Sequence, residues 1–237
     1  TLKNGVKVVV LPTQHKQDQV LFNLQMDGGK TLIATEDMPS FEDNIWTLFQ
    51  NNSGISKFSG TQVPKMLAGK NLSVLPYIGG TKHGISGTST PKDLETALQI
   101  AYLYFADPRF DENEYQTGIQ QINALLPNIA KNPRIVELNE ETMAKADLAT
   151  IERVYRELFK DAAGATLRIV GNVDPEAIKP MVEKYIGSIA KGKKADAVNS
   201  DNVIRFAKGR IDEAVAIEMQ TPKSTVLQLY SAYMPVD

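Results

Sequence analysis

Residues 165–190 restrict the possible folds more than any other part of the sequence, because they form a complete strand–turn–helix pattern. Residues 166–170 are a short β-favouring run that ends at Gly171. Asp174 can accept hydrogen bonds from the free N–H groups of a first helical turn, and Pro175 suits the first helical position. The apolar residues of this predicted helix recur at spacings of three and four, at Ile178, Met181, Val182, Tyr185, Ile186 and Ile189. Such a buried strand and amphipathic helix need a sheet to join and a core to cover.

Composition excludes several classes of protein. With 237 residues, 42% hydrophobic and 23% charged, the chain is an ordinary globular sequence, and at roughly 150 residues per domain it holds one or two domains. A net charge of −2 argues against nucleic-acid partners. No apolar run approaches the roughly 20 residues that span a bilayer, so we expect no membrane insertion. The absence of cysteine excludes disulfides and thiolate metal sites, and leaves the redox compartment open.

The other periodic segments predict an α+β fold. Strand-like runs occupy residues 7–11, 20–26, 72–78 and 83–89. Apolar helical stripes follow Ser40, Thr90 and Asp111, which we expect to act as N-caps, and a further helix starts near Asp147. Residues 133–142 are polar and irregular, and predict no element.

The distribution of these elements predicts two unequal units. Residues 1–190 are expected to form one α+β domain, and the small polar run KGKKADAVNS at 191–200 is expected to be a linker. Strand-like runs within 201–237 predict the opening strands of a second, truncated domain. The chain starts without Met inside a structural element and ends abruptly after a strand-like run, which predicts a piece of a longer protein.

No catalytic, cofactor-binding or metal-ligating residue is predicted in this chain. The two histidines, His15 and His83, have no further ligand at metal spacing; His15 is expected to be solvated and His83 to be half-buried. The acidic residues of 36–43 lack the spacing of a calcium loop and fit a solvated helix start. The glycines of 79–87 do not form a phosphate-binding motif. The turn at 171–174 could face an anion, but Asp174 fills that place as a cap.

Five segments together resemble the M16 family of zinc metallopeptidases, the pitrilysin and insulinase group. They are LKNGVKVVV at 2–10, GGK at 28–30, LAGKNLSVLPYIGG at 67–80, SGTSTPKDLETALQIAYLYFADPRFDENEY at 86–115 and IVGNVDPEAIKPMVEKYIGSI at 169–189. The resemblance implies a mixed β-sheet covered by helices on one face. It also implies a parent enzyme of four such domains, arranged as two halves that close around a chamber where peptides are cut.

In the family, the first domain holds zinc through an H-x-x-E-H motif about a dozen residues after the GG exit, with a distal Glu as the third ligand. Here that position reads PSFEDNIWTLF at 39–49, without histidine. Glu42 therefore cannot be the general base of a zinc site. The resemblance implies the non-catalytic third domain and the start of the fourth. Zinc would belong to another domain, and the partners would be the N-terminal catalytic half of the same protein and peptide substrates.

Other interpretations remain open at the level of sequence. The chain could instead be a catalytically dead binding or assembly subunit on the same fold, or an unrelated α+β ligand-binding domain. Relatives carry about twenty more residues near 131–133, so this chain has either a deletion there or a flexible loop missing from its sequence. Bacterial, envelope-associated relatives favour the periplasm as its compartment.

Overall fold

The computed structural model describes residues 1–129 and 138–203, together with scattered positions between 209 and 230. Its centre is a five-stranded mixed sheet in the order β1-β5-β2-β4-β3. The strands are β1 (Lys7–Pro12), β2 (Val20–Asp27), β3 (Leu72–Ile78), β4 (Lys82–Ser89) and β5 (Thr166–Gly171). The helices of the described part are α1 (Asp43–Asn52), α2 (Val63–Met66), α3 (Leu94–Ala106), α4 (Glu112–Ile129), α5 (Glu140–Lys145), α6 (Leu148–Leu158) and α7 (Pro175–Tyr185). The prediction of an α+β domain with a mixed sheet is confirmed.

Strand β5 lies between the two N-terminal strands. It runs parallel to β1, with Lys7 opposite Thr166, and antiparallel to β2, with Val20 opposite Gly171. Strands β2, β4 and β3 continue the sheet in antiparallel order. Strand β5 therefore completes the sheet, since within the described residues β1 is connected to β2 through it.

The core lies on one face of the sheet. In β2, Val20, Phe22, Leu24 and Met26 are buried and alternate with less buried residues, and Leu167 and Ile169 of β5 are buried beside them. Helix α3 packs over β3 and β4, and α7 packs against α3. This alternation is the pattern of a sheet that buries one face and leaves the other exposed.

The helix starts predicted at Thr90, Asp111, Asp147 and Asp174 are confirmed, and two details were wrong. Asp174 accepts from the N–H of Glu176 at 3.0 Å, and Asp147 accepts from the N–H of Thr150 at 2.8 Å. Ser40 does not cap α1; its hydroxyl instead accepts from the N–H of Asp147 at 3.1 Å. The irregular segment predicted at 133–142 ends in helix α5, because Asn139 caps its first turn.

The segment after residue 190 runs along the domain. Thr31 holds it at two points: its hydroxyl accepts from the N–H of Asn199 at 3.0 Å, and its carbonyl accepts from the side chain of Asn202 at 3.0 Å. The strands predicted beyond residue 203 and the gap at 131–133 lie outside the continuously described ranges. Within the described chain, every helix is too short or too polar to cross a bilayer.

Candidate functional site

Glu42 lies at the position where the resemblance places a zinc motif, and its carboxylate acts as the N-cap of helix α1. One oxygen accepts from the N–H groups of Asn44 at 2.8 Å and Ile45 at 3.2 Å. The other oxygen accepts from the side-chain amide of Asn44 at 2.9 Å. The side chain is buried in this arrangement. Because both carboxylate oxygens accept from donors of the first turn of its own helix, Glu42 is placed to stabilise α1.

Helix α1 is fixed by aromatic packing on its buried side. The ring of Trp46 lies 5.5 Å from Phe41 and 6.2 Å from Tyr155, and Tyr155 stacks on Phe159 at 4.3 Å. The hydroxyl of Tyr155 donates to the carbonyl of Tyr104 at 2.8 Å. Burial raises the pKa of Tyr155 well above its usual value and that of Tyr104 to about 12. These phenols are therefore neutral at neutral pH, and in the structure they contribute to the packing around α1.

The acidic residues of 36–43 do not converge. Asp37 pairs with Arg153 at 2.5 Å, Asp43 pairs with Lys30 at 2.5 Å, and Glu42 caps α1. Among the described residues, no three of His, Asp and Glu are grouped so that they could hold a metal ion. The donor set around α1 therefore does not fit zinc, which needs at least three convergent ligands.

The two histidines are in different environments. His15 is exposed before β2 begins, whereas His83 is fully buried in β4, opposite Met26 near the end of β2. His83 was expected to be a half-buried hydrogen-bonding group; its half-burial was wrong, and its hydrogen bonding is confirmed. Its Nδ1 accepts from the N–H of Gly29 at 3.2 Å and its Nε2 lies 3.1 Å from the carbonyl of Leu158. Both ring nitrogens have protein partners, so His83 has no lone pair left for a ligand.

A polar cleft of about 240 Å³ lies between α6 and the segment after β2. Its lining includes apolar residues, the Asp37–Arg153 pair and Lys160, which lies 3.8 Å from Asp196. Because both signs of charge line it, the cleft has no strong preference for anions or cations. Sequence analysis missed this cleft, since its residues are separated by more than a hundred positions.

A second polar cluster was also missed. The carboxylate of Glu114 accepts from the N–H groups of Gly54 and Gly60, each at 2.9 Å, and from Arg109 at 3.3 Å. The sequence pattern Asp111–Glu114 suggested a helix cap, and Asp111 does accept from the N–H of Glu114 at 3.2 Å. Glu114 itself faces the loop after α1, and its role there is to fix that loop.

Comparison with known proteins gives distant relatives. The probable zinc protease PqqL of Haemophilus influenzae is 23% identical in an alignment of 203 residues that covers 79% of this chain and 22% of the relative. The zinc protease PQQL-like of Arabidopsis thaliana is 25% identical in an alignment of 209 residues that covers 81% of this chain and 19% of the relative. No protein-family model matches the chain. The chain thus spans about a fifth of the length of these curated relatives.

Solved structures show the same fold. The periplasmic protease PqqL of Escherichia coli superposes with a TM-score of 0.61 at 15% identity, covering 82% of this chain and 24% of that one. The first half of that protease, solved alone, also gives a TM-score of 0.61, with 46% of it covered. These findings confirm the resemblance to M16-like zinc proteases. At this identity the structural match identifies the fold and leaves the position of the domain in a longer protein open.

Proposed function

We propose that this chain is a non-catalytic part of a longer zinc metallopeptidase, in which it forms part of the wall of the peptide-enclosing chamber. The observation that supports the proposal is the use of Glu42. Glu42 lies where the zinc motif of the family is expected, and no histidine occurs between His15 and His83. The carboxylate of Glu42 accepts hydrogen bonds from the first turn of α1. A zinc-bound water needs imidazole or carboxylate ligands with an open coordination position, and this region does not supply them.

In this proposal, zinc and its water belong to another domain of the parent enzyme, and the partners of this chain are that catalytic half and the peptide substrate. The domain would enclose the peptide and exclude water while the other half cuts it. We place it in the third domain, with residues 191–200 as the linker to a fourth. We also place the enzyme in the periplasm, by analogy with the Escherichia coli relative.

Zinc retention by the isolated chain tests the first part of the proposal. After dialysis against a chelator and then against metal-free buffer, we expect well under 0.1 equivalent of zinc, together with no cleavage of unstructured peptides. The variant His15→Ala is the matched control, because His15 is the exposed imidazole of the chain. One equivalent of zinc that His15→Ala abolishes would overturn the proposal.

The role of Glu42 is tested in the longer protein. If Glu42 is only a helix cap, Glu42→Gln lowers the melting temperature slightly and leaves kcat for peptide cleavage within about twofold. A loss of kcat by a factor of a hundred with the fold retained would contradict the proposal, since such a loss is typical of a missing catalytic group.

A reconstitution experiment distinguishes the proposed chamber wall from the alternative function, a catalytically dead binding or assembly subunit. Adding this chain to the separately prepared catalytic half should raise kcat/KM for long peptides more than for short ones if it completes a chamber. Binding without any gain in cleavage, together with the absence of H-x-x-E-H from the parent polypeptide, would favour the assembly subunit instead.

A further inference from the structure

The polar cleft beside α6 has three walls, each held by its own contacts. Helix α6 forms the first wall and is anchored in the core by buried residues such as Leu158. Residues 32–37 form the second wall, in which Ile33 is buried. The segment after residue 190 forms the third wall; it carries Asp196 and is hydrogen-bonded to Thr31. Because the walls are fixed independently, the cleft is preformed, and a ligand needs little rearrangement of the protein to bind.

Two charged side chains of this cleft have no hydrogen bond to any described residue. The carboxylate of Glu157 has neither a hydrogen bond nor an ion pair within this part of the chain. The ammonium group of Lys160 lies 3.8 Å from Asp196, which is too long for a hydrogen bond. In contrast, Arg153 is bound to Asp37 at 2.5 Å. The cleft therefore offers a ligand one anionic acceptor and one cationic donor, three positions apart in the sequence.

Apolar side chains lie beside these two charges. Ile33, Val154 and Leu158 are buried, whereas Leu32 is 37% exposed. An aliphatic group bound against them would remove the exposed surface of Leu32 from water, which is favourable. The cleft volume of about 240 Å³ is below the roughly 300–1,000 Å³ of pockets for drug-sized molecules. The ligand that fits is therefore small, and it combines a positive group, a negative group and an aliphatic group.

We propose that the cleft binds a free α-amino acid with an aliphatic side chain. Its α-ammonium group donates to Glu157, its α-carboxylate accepts from Lys160, and its side chain packs on Leu32. A zwitterion satisfies both charged groups at once, whereas a simple anion or cation satisfies one and is repelled by the other. The inference does not depend on the proposed proteolytic role, and its test uses no activity measurement.

Three related probes test the ligand class by isothermal titration calorimetry of the full chain. L-leucine should bind about tenfold more tightly than N-acetyl-L-leucine, which lacks the ammonium group, and L-leucinamide, which lacks the carboxylate, because each derivative loses one charge-assisted hydrogen bond. Equal affinity for all three probes would overturn the proposal, and so would the absence of L-leucine binding at about 10 mM. Tighter binding of either derivative would also overturn it, since the ligand would then be one end of a peptide.

Substitution of Glu157 tests the assignment of the ammonium site. Glu157→Gln should weaken L-leucine binding by about tenfold and leave the weaker binding of N-acetyl-L-leucine unchanged. Glu152→Gln is the matched control, because Glu152 lies on the same helix but pairs with Arg156 and does not line the cleft. Unchanged L-leucine affinity in Glu157→Gln, or an equal loss in Glu152→Gln, would contradict the proposal.

Substitution of Lys160 tests the carboxylate site in the same way. Lys160→Gln should weaken L-leucine binding by about tenfold and leave the binding of L-leucinamide unchanged. Lys179→Gln on α7 is the control, because it removes the same charge from an exposed position outside the cleft. Thermal unfolding of each variant verifies that the domain is folded. A folded Lys160→Gln protein with unchanged L-leucine affinity would overturn the placement of the carboxylate.

Discussion

The Nδ1 atom of His83 accepts a hydrogen bond from the backbone N–H of Gly29 at 3.2 Å. Because an N–H group can only donate, Nδ1 must be unprotonated, and the ring proton resides on Nε2, where it is donated to the carbonyl of Leu158 at 3.1 Å. A neutral imidazole thus connects β4 to the turn after β2 and to the end of α6. Protonation at Nδ1 would place a second donor against the Gly29 N–H.

His83 should make stability depend on pH. Burial lowers the pKa of His83 below its ordinary value of 6.5, although Asp196 and Asp27 favour the charged form. The unfolded chain therefore binds a proton at a higher pH than the folded chain, and the free energy of unfolding decreases as the pH falls below about 6.5. Urea midpoints between pH 8 and pH 5, followed by the fluorescence of Trp46, measure this.

The variant His83→Gln is the control for this titration. At pH 8 it should lower the free energy of unfolding by about 1–3 kcal/mol, since it disturbs two buried hydrogen bonds. Its midpoint should then change less than that of the wild type between pH 6.5 and pH 5. Parallel curves for the two proteins would assign the pH dependence to other groups.

Gly29 should not tolerate a side chain. Its φ is +56°, and a Cβ atom would lie 2.3 Å from the carbonyl oxygen of Gly79 and 2.5 Å from the N of Lys82, both of the backbone. We expect Gly29→Ala to lower the free energy of unfolding by more than about 2 kcal/mol. Gly5, with φ +97° and open space around it, is the matched control. Gly5→Ala should cost about 1–2 kcal/mol, from backbone strain alone, and equal losses would refute the steric argument.

Removal of Glu114 should loosen the loop after α1. Glu114→Ala leaves the N–H groups of Gly54 and Gly60 without their partner, so we expect a loss of about 2–4 kcal/mol in urea denaturation. Amide exchange at both glycines should become faster. Glu112→Ala, two residues before Glu114 and bonded only to the side chain of Gln116 among the contacts described, should stay within about 0.5 kcal/mol. Unchanged amide exchange at Gly54 and Gly60 would contradict the conclusion that Glu114 fixes the loop after α1.

The cap at Glu42 should have an ordinary energetic effect. Glu42→Ala should lower the free energy of unfolding by about 1–2 kcal/mol, as expected for a lost N-cap. Glu36→Ala, at an exposed position in the same acidic segment, should change it by less than about 0.5 kcal/mol. Indistinguishable melting temperatures for the two variants would show that the hydrogen bonds of Glu42 to α1 do not stabilise the helix.

Local patterns predicted most of the fold. The alternation of apolar and polar residues in 20–26 and the N-cap at Asp174 each depend on a few neighbouring residues, so both can be inferred from the sequence. The cap of α1 was misassigned because Ser40 and Glu42 are both suitable, and Ser40 is used instead by Asp147, a residue 107 positions away. Such a choice depends on tertiary contacts and cannot be inferred from spacing.

For the candidate site, the sequence predicted which ligands are missing but not which contacts are formed. The sequence indicated that zinc ligands are missing at 39–49, and the structure adds what Glu42 does there instead. The polar cleft and the Glu114 cluster arise from residues that meet only after folding, so no local pattern indicates them. The burial of His83 follows from its position opposite Met26 and beneath α6, which periodicity does not specify.

The insertion of β5 between β1 and β2 has a consequence for biosynthesis. Strand β1 cannot find its neighbour until residue 171 has left the ribosome, which at about 5–20 residues per second takes roughly 8–30 s after β1 is made. Throughout that time the apolar run KVVVL is an unpaired strand, the kind of segment that aggregates or recruits chaperones. Pairing over so long a sequence separation also slows folding. A nascent chain truncated before β5 should therefore remain protease-sensitive.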